Sequence, residues 1–206
     1  MIGCTMLYFT KNPLVKATTQ QAPLEKLLSR WRARGIEKIV SQKKVLDFGC
    51  GTNGWISQFM IDKGANFVHG CDSSLSKITY LSGESALYPS IQLLPRNDYE
   101  VITAFAVFEH LYPLELIDNL RIIHKISSPC SRIIGTVPTI ASRPVLEFLS
   151  FKLKLIDSSQ IYDHKVYYDD LWLSYIVNQA GWILSQYSLF QLGMNSRFEL
   201  KKQCST

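Results

Sequence analysis

Residues 44–54, KVLDFGCGTNG, are the segment that most clearly indicates the fold of this chain. It opens with the short apolar run Lys44–Phe48, which is typical of a buried strand. Three glycines follow at the spacing G-x-G-x-x-G: Gly49, Gly51 and Gly54. An amphipathic helix pattern begins at Trp55, and glycines between a strand and a helix let the backbone turn tightly beside a ligand. The stretch predicts a nucleotide-type binding turn, with a ligand-free tight βα turn as the alternative.

An acidic residue follows at the spacing that such a turn requires. Asp72 lies 23 residues after Gly49 and ends the next predicted strand, which starts at Phe67. A carboxylate at this place can accept hydrogen bonds from both hydroxyls of a ribose. The alternative is the N-cap of a following helix, but Ser73 or Ser74 can cap that helix. We favour the ribose role for Asp72 and count the adjacent Ser73 among the cofactor contacts.

Two ligand classes fit these residues, namely dinucleotides and S-adenosylmethionine. Asp47 favours the second, because a buried carboxylate needs a partner. The amino group or water shell of a methionine moiety would provide one, whereas a pyrophosphate would be repelled. The chain of 206 residues is also short for a dehydrogenase with a separate substrate domain, and it contains no Y-x-x-x-K pair.

The rest of the chain alternates short apolar runs with helix-length amphipathic segments, which is typical of an α/β fold with a parallel sheet. A first helix is predicted from Pro23 to Val40, with Gly35 as a possible break. Further strands are predicted at Ile91–Leu94, Tyr99–Phe105 and Ser131–Val137, and further helices at Pro113–Ile126, 141–155 and 169–180. The chain then ends in a predicted antiparallel hairpin of Trp182–Gln191 and Arg197–Lys202.

Composition excludes several classes of protein. With 47% hydrophobic and 19% charged residues, the chain can fill the core of one domain and is not a disordered polar chain. The net charge of +5 is mild, and the basic stretch from Lys26 to Lys44 is accompanied by Glu25 and Glu37. It is interpreted as the solvated face of a helix, and no nucleic-acid partner is expected.

Cysteines and apolar segments indicate the compartment. Five scattered cysteines without a C-x-x-C pair favour reduced thiols and a cytoplasmic protein, and neither they nor the four histidines show metal-ligand spacing. No metal site is therefore expected. No segment is long and apolar enough for a membrane span, and the short apolar start Met1–Phe9 lacks the basic lead of a signal peptide.

Several segments in order resemble one family. Residues 45–54 are similar to the first motif of class I S-adenosylmethionine-dependent methyltransferases. Other segments resemble the fourth strand, the "LEH" segment, the fifth strand and the late "H-x-x-x-(Y/F)" stretch of the ubiquinone-methyltransferase-like branch: Tyr99–Phe105, Val107–Leu111, Arg132–Pro138 and residues 163–168. The resemblance covers most of the chain.

The resemblance implies an α/β Rossmann-like three-layer sandwich, with a seven-stranded, mostly parallel sheet whose last strand is antiparallel. It implies one methyltransferase domain over residues 1–206. Residues 1–42 would be an N-terminal helical extension, and residues 43–206 the cofactor-binding core, with an acceptor-side insertion near 140–168.

The cofactor implied is S-adenosyl-L-methionine. Its methionine end would meet Asp47, Gly49, Cys50, Gly51 and Gly54, and its ribose would meet Asp72 and Ser73. Leu94 would meet adenine, and Ala104 and Phe105 would lie beneath the sulfonium. The sequence departs from the family between the third and fourth strands, where the acidic residue near adenine is missing or displaced to Asp98.

Three side chains are expected on the acceptor side: Glu109, Tyr112 and His164. His110 is the candidate general base, since histidine can take a proton from a hydroxyl near neutral pH. A histidine that only packs or orients the loop is the alternative. The segment of residues 145–156 is interpreted as a core-facing helix, with an acceptor lid or a helix touching a membrane surface as alternatives.

The function expected is methyl transfer from S-adenosylmethionine to a small-molecule or lipid- or glycan-linked acceptor, with O-methylation as the first choice. The alternative is a binding or scaffold protein that keeps the fold without turnover. No transmembrane segment is expected, and peripheral membrane contact stays open.

Overall fold

The computed structural model describes residues 31–142 and 165–203, and these contain one sheet of eight strands with helices on both faces. In chain order the strands are β1 (Lys44–Phe48), β2 (Phe67–Cys71), β3 (Thr79–Tyr80), β4 (Ala86–Tyr88), β5 (Tyr99–Phe105), β6 (Ser127–Pro138), β7 (Trp182–Phe190) and β8 (Asn195–Lys202). The α-helices are α1 (Glu37–Val40), α2 (Trp55–Asp62), α3 (Pro113–Ile126) and α4 (Asp170–Asn178).

The strand order is β3-β4-β2-β1-β5-β6-β8-β7. The five neighbouring strands β4, β2, β1, β5 and β6 are parallel to one another. Strand β3 is antiparallel to β4, β8 is antiparallel to β6, and β7 is antiparallel to β8. The predicted fold class is confirmed, including the antiparallel hairpin at the chain's end. The sheet has one strand more than the seven predicted. The additional strand is the two-residue β3, which pairs with β4, the outer strand of the parallel part.

Alternate residues of the central strands serve two separate cores, because successive side chains point to opposite faces of a sheet. On one face Leu46, Ile102 and Ile133 pack with α3 and α4. On the other face strand residues such as Val45, Val101 and Ile134 pack with Ala33, Ile36, Val40 and Met60. The two cores make the three layers that the fold class requires.

The prediction of a third strand at Ile91–Leu94 is wrong. Ile91–Leu93 forms a 3-10 turn, and the third parallel strand is β4. The Ser90 hydroxyl accepts a hydrogen bond from the Gln92 amide at 3.2 Å, which begins the turn. The short sequence Ala-Leu-Tyr of β4 carries little strand signal by itself, and its pairing with β2 decides its conformation.

The helix expected after Asp72 is also absent, since residues 73–78 are turns and bends that lead to β3. Asp72 Oδ1 accepts hydrogen bonds from both the amide and the hydroxyl of Ser74. Such local side-chain bonds compete with helical ones. Asp72 is therefore not the N-cap of a helix.

The predicted N-terminal helix does not continue to Val40. Residues 33–36 form a turn in which Gly35 has a φ of +83°, and helix resumes only as the single turn α1. Residues 1–30 lie outside the described part. The interpretation of the basic stretch as one solvated helix face is wrong for its end, because Lys43 bonds Glu100 at 2.8 Å and Arg34 lines a cavity.

Three other predictions are confirmed. Helix α3 has the predicted bounds, α4 lies within the predicted residues 169–180, and β7 and β8 form the predicted hairpin around residues 191–194. Most of the predicted helix at 141–155 lies outside the described residues. Among the residues that are described, no helix has the length and apolar character needed to cross a bilayer.

Candidate functional site

The carboxyl ends of three neighbouring strands lie side by side at one end of the sheet, and we call this end its carboxyl edge. Phe48 at the end of β1 pairs with Cys71 at the end of β2, and Asp47 pairs with Thr103 near the end of β5. The glycine turn, Asp72 and the residues after Phe105 therefore share this edge. In open α/β sheets ligands bind at this edge.

Asp72 and the glycine turn are joined directly. The Gly51 amide donates a hydrogen bond of 2.8 Å to Asp72 Oδ2, while Oδ1 accepts from Ser74. Asp72 is half-buried and Ser73 is exposed beside it. The carboxylate is thus held in one orientation and keeps lone pairs for further donors.

The three glycines of the turn have different surroundings, although all have positive φ. A Cβ on Gly49 would stand 2.3 Å from Val107 Cγ2, and one on Gly54 would stand 2.5 Å from Leu87 Cδ1. A Cβ on Gly51 would meet no described atom within 4 Å. Gly49 and Gly54 are therefore needed for packing, whereas Gly51 leaves open space beside Asp72 for a ligand.

Asp47 lies 2% exposed beneath the turn. Its Oδ2 accepts a hydrogen bond from the Ser57 hydroxyl at 2.6 Å, and its Oδ1 accepts one from Thr103 Oγ1 at 2.7 Å. Burial raises the pKa of this carboxyl from 3.8 to about 6, and the two hydroxyl bonds limit the rise. Protein hydroxyls thus satisfy Asp47, so its burial does not by itself require a ligand.

The two thiols at this edge are packing groups. Cys50 and Cys71 are both buried, and burial raises the pKa of both thiols, that of Cys71 to about 12. A Cβ on Gly70 would come within 2.8 Å of Cys50 Sγ, which shows how closely β2 approaches the turn. Both groups are protonated near neutral pH and are not nucleophiles.

On the side of the site expected to hold adenine, a 3-10 turn stands in place of the predicted strand. Leu94 follows the 3-10 turn and is half-buried against the core that contains Ile91. Asp98 forms an ion pair with Lys44, the first residue of β1, and therefore lies at the opposite edge of the sheet. The suggestion that Asp98 replaces the missing acidic residue is wrong.

Successive side chains at the end of β5 point into different cores. The side chain of Ala104 belongs to the core beneath α3, and Phe105 belongs to the other core. Ala106 follows with a φ of +56°, and its amide donates to the Thr136 carbonyl at 2.9 Å. This left-handed residue turns the chain away from the sheet toward Val107, which closes over Gly49.

A 3-10 turn, Phe108–His110, follows and contains two of the candidate residues, Glu109 and His110. The Glu109 carbonyl accepts hydrogen bonds from the amides of Lys165 at 2.7 Å and Val166 at 3.3 Å, which fixes the turn against the segment before α4. His110 is half-buried, and Tyr112 is 40% exposed with Lys165 Nζ 4.8 Å from its ring centre. His164 lies outside the described residues.

Two buried polar atoms sit behind this turn. Glu109 is 1% exposed, and neither its Oε2 nor the hydroxyl of Tyr168 has a hydrogen-bond partner among the residues that the structure describes. Burial raises the pKa of both groups, and the charge of Glu109 adds to the rise at Tyr168. A carboxyl in such surroundings favours the protonated form.

Sequence reasoning missed the residues that close the glycine turn. Val107 and Leu87 are ordinary apolar residues in the sequence, and only their positions against Gly49 and Gly54 show their role. No local pattern could have found them. Within the described ranges, no group of three His, Cys, Asp or Glu side chains could hold a metal ion.

Residues 20–193 match a family described as a methyltransferase domain. A search of curated protein sequences finds no significant match.

Solved structures with a similar fold include three methyltransferases. A SAM-dependent methyltransferase from Archaeoglobus fulgidus is 16% identical with a TM-score of 0.62, over 86% of this chain and 94% of that one. One from Mesorhizobium loti is 12% identical with a TM-score of 0.58, over 79% and 92%. Magnesium protoporphyrin IX methyltransferase from Synechocystis, with bound SAH, is 14% identical with a TM-score of 0.55, over 87% and 82%.

Proposed function

The chain belongs to the methyltransferase-domain family, and from this premise we propose that it methylates a hydroxyl group of a small-molecule or lipid- or glycan-linked acceptor. The protein is a class I S-adenosylmethionine-dependent methyltransferase.

One observation carries the cofactor site: the open space at Gly51 beside the oriented carboxylate of Asp72. A backbone without a side chain admits a ligand closely, and a fixed carboxylate can accept from two ribose hydroxyls. Cys50 and Asp47 support the turn from beneath, and Ala104 and Phe105 end the strand that faces the methionine part. Leu94 and the 3-10 turn at Ile91–Leu93 would border adenine.

When bound, S-adenosylmethionine supplies an electrophilic methyl group on a positively charged sulfur. The chain's task is then to hold an acceptor oxygen in line with that group, since alignment alone contributes a large part of the rate in such transfers. The 3-10 turn Phe108–His110 and the exposed Tyr112 stand after β5, where an acceptor would approach. Glu109 helps to hold this turn through its backbone bonds to Lys165 and Val166.

O-methylation releases the hydroxyl proton of the acceptor. His110 is the group proposed to take this proton, because it is half-buried on the turn after β5 and can accept through a ring nitrogen. His110 would take the hydroxyl proton as the acceptor oxygen bonds to the methyl carbon, and the bond from that carbon to sulfur would break with its electron pair left on sulfur. His164 is the second acceptor-side histidine that we propose.

Titration calorimetry tests the cofactor site. We expect binding of S-adenosylmethionine or S-adenosylhomocysteine and none of NAD, because Asp72 offers a carboxylate to ribose hydroxyls, whereas the carboxylate of Asp47 beneath the turn would repel a pyrophosphate. Binding of NAD with none of either sulfur ligand would contradict the proposed function.

A second candidate function is a binding or scaffold protein without turnover. One observation favours it: residues 72–98, all of which the structure describes, contain β3, β4 and a 3-10 turn but no α-helix. Two short strands, turns and loop segments therefore make up the part of the site that would border adenine. Cofactor binding without product across phenolic, sugar and lipid-linked hydroxyl acceptors would favour this candidate.

The organisation of the chain is part of the proposal. We propose one methyltransferase domain, in which residues 1–42 are an extension and residues 43–206 the core, with an acceptor-side insertion near 140–168.

The buried, protonated Cys50 and Cys71 support a reducing compartment and hence a cytoplasmic protein.

A further inference from the structure

A cavity of about 400 Å³ lies outside the cofactor site. Trp31, Arg32 and Arg34 line one side of it, and residues of the β7–β8 hairpin line the other. Three of the lining residues are arginines, Arg32, Arg34 and Arg197, and we refer to the space as the arginine cavity. Trp31 and Phe190 add two aromatic side chains. The cavity falls within the size range of small-molecule sites, roughly 300–1,000 Å³.

Strand register places the arginine cavity at the same edge of the sheet as the cofactor site. Phe105 pairs with Thr136, Thr136 pairs with Arg197, and Arg197 pairs with Ser188. Neighbouring strands are about 4.8 Å apart, so the backbone of Arg197 lies roughly 10 Å from that of Phe105. Directly paired residues also point to the same face. The cavity is therefore within the reach of one small molecule from the end of β5.

The β7–β8 hairpin contributes buried donors to the cavity. Arg197 Nη2 donates to the Arg32 carbonyl at 3.1 Å, while Arg197 Nε is buried with no hydrogen-bond partner among the described residues. Gln191 Nε2 is likewise buried without a described partner, while Gln191 Oε1 accepts from Asn195. Both residues line the cavity, so two of its lining side chains carry a buried donor that lacks an acceptor within the described part of the chain.

Two of the three arginines lack an ion pair, since neither Arg34 nor Arg197 forms one with a residue that the structure describes. Burial lowers the pKa of Arg197, and Glu37 is the carboxylate that acts against this effect. A guanidinium nevertheless stays charged in proteins, so Arg34 and Arg197 present two cations to the cavity. Guanidinium groups match the oxygens of a carboxylate or phosphate in a bidentate manner.

We propose that the arginine cavity binds an oxyanion, a phosphate or a carboxylate, that belongs to the methyl acceptor. The proposal rests on the proposed function and narrows its acceptor to an anionic compound. Arg34 and Arg197 hold the oxyanion, and Trp31 and Phe190 contact the apolar or ring part beside it. The anchored acceptor then extends along the edge of the sheet toward Phe105 and His110.

The test uses the whole protein with saturating S-adenosylhomocysteine, at constant ionic strength. Inorganic pyrophosphate and benzoate are titrated separately as the phosphate and carboxylate probes. We expect at least one probe to bind, with a dissociation constant at least tenfold higher in Arg34→Gln and in Arg197→Gln. The matched control is Arg121→Gln, because Arg121 is an exposed arginine of α3 far from the cavity. This control should bind the probe like the wild type.

Vesicles of phosphatidylcholine with phosphatidic acid distinguish a lipid headgroup from a soluble acceptor. Co-sedimentation that Arg34→Gln abolishes assigns the oxyanion to a lipid, and pyrophosphate binding without co-sedimentation assigns it to a soluble compound. Absence of binding by every probe, wild-type affinity in Arg34→Gln or Arg197→Gln, or an equal loss in Arg121→Gln overturns the proposal.

S-adenosylhomocysteine is titrated into the same variants. Affinity for it should be unchanged in all three, because none of the arginines lines the cofactor site. Failure of the wild type to bind S-adenosylhomocysteine would reject the proposed function, and the two probes titrated without cofactor would still decide whether the cavity takes an oxyanion.

Discussion

The amide of Gly51 donates a hydrogen bond of 2.8 Å to Oδ2 of Asp72. This bond joins the turn after β1 to the end of β2, although the two residues are 21 positions apart in the chain. Together with the bonds from Ser74 to Oδ1, this contact orients the carboxylate and places it beside the open space at Gly51. The first two predictions separate these two roles.

Replacement of Asp72 by Asn should weaken cofactor binding while the fold survives. The side-chain carbonyl of Asn can still accept from Gly51, but the charge that strengthens the bonds to the ribose hydroxyls is lost. Hydrogen bonds to a charged group contribute about 1.5–3 kcal/mol each, so affinity for S-adenosylhomocysteine should fall at least tenfold in titration calorimetry. The control is Asp62→Asn, which changes an exposed carboxylate of α2 that accepts from Gln58. Unchanged affinity in Asp72→Asn would show that Asp72 only braces the turn.

Gly51→Ala should abolish cofactor binding with a limited loss of stability. The new methyl group meets no described atom, but it occupies the space beside Asp72. The left-handed backbone costs roughly 1–2 kcal/mol for a residue with a side chain. Gly83→Ala is the matched control, because Gly83 also has a positive φ of +59° and open surroundings but lies on a distant turn. Thermal unfolding should shift similarly in both variants, and only Gly51→Ala should lose affinity. Equal affinity in the two would place the ligand elsewhere.

Asp47 should make stability depend on pH in a defined window. The pKa of its carboxyl rises from 3.8 to about 6 on folding, mainly because of burial. The folded state therefore binds the proton more tightly, and the contribution of Asp47 to stability is present at low pH and is lost as pH rises through about 6. The slope approaches 1.4 kcal/mol per pH unit within the window.

Urea unfolding of the wild type and Asp47→Asn between pH 4 and 7.5 measures this contribution. The difference between their free energies of unfolding should move against the wild type up to about pH 6 and be constant above it. Asp118→Asn, which changes an exposed carboxylate of α3, serves as the control. Parallel curves for the wild type and Asp47→Asn would contradict the raised pKa.

His110→Ala should lower turnover by roughly a hundredfold or more if His110 accepts the proton of the acceptor hydroxyl. Cofactor affinity should stay nearly intact, since the turn that holds His110 is fixed by the backbone of Glu109. The fall of the rate on the acid side should also disappear. The measurement is the pH–rate profile with an acceptor found by screening anionic hydroxyl compounds. Full turnover with an unchanged profile would leave alignment of the two substrates as the source of rate.

Several features could be predicted from the sequence because their causes are local. Pro113 at the first turn and the apolar spacing of Pro113–Ile126 are enough to bound α3. Gly49, Gly51 and Gly54 have positive φ because the turn requires it, and the spacing G-x-G-x-x-G shows that requirement directly. The hairpin of β7 and β8 likewise follows from two strand-like runs around a turn.

Other features depend on contacts between distant residues. Asp47 is satisfied by Thr103, which is 56 positions away, so no local pattern could show that its partner is a hydroxyl. The third parallel strand is β4 rather than Ile91–Leu94, because pairing with β2 outweighs the weak local preference of Ala-Leu-Tyr.

The parallel α/β fold and the positions of the glycine turn and Asp72 could be predicted from the sequence alone. The periodicity of apolar residues and the spacing of the glycines and Asp72 are visible within short segments of the chain. Only the tertiary structure decided which glycine faces open space and which arginines meet. Arg32 and Arg197 are 165 positions apart, and they come together because residues 31–40 pack on the sheet face toward which Arg197 points. Burial and close packing between distant segments decide such contacts, and the order of residues alone does not express them.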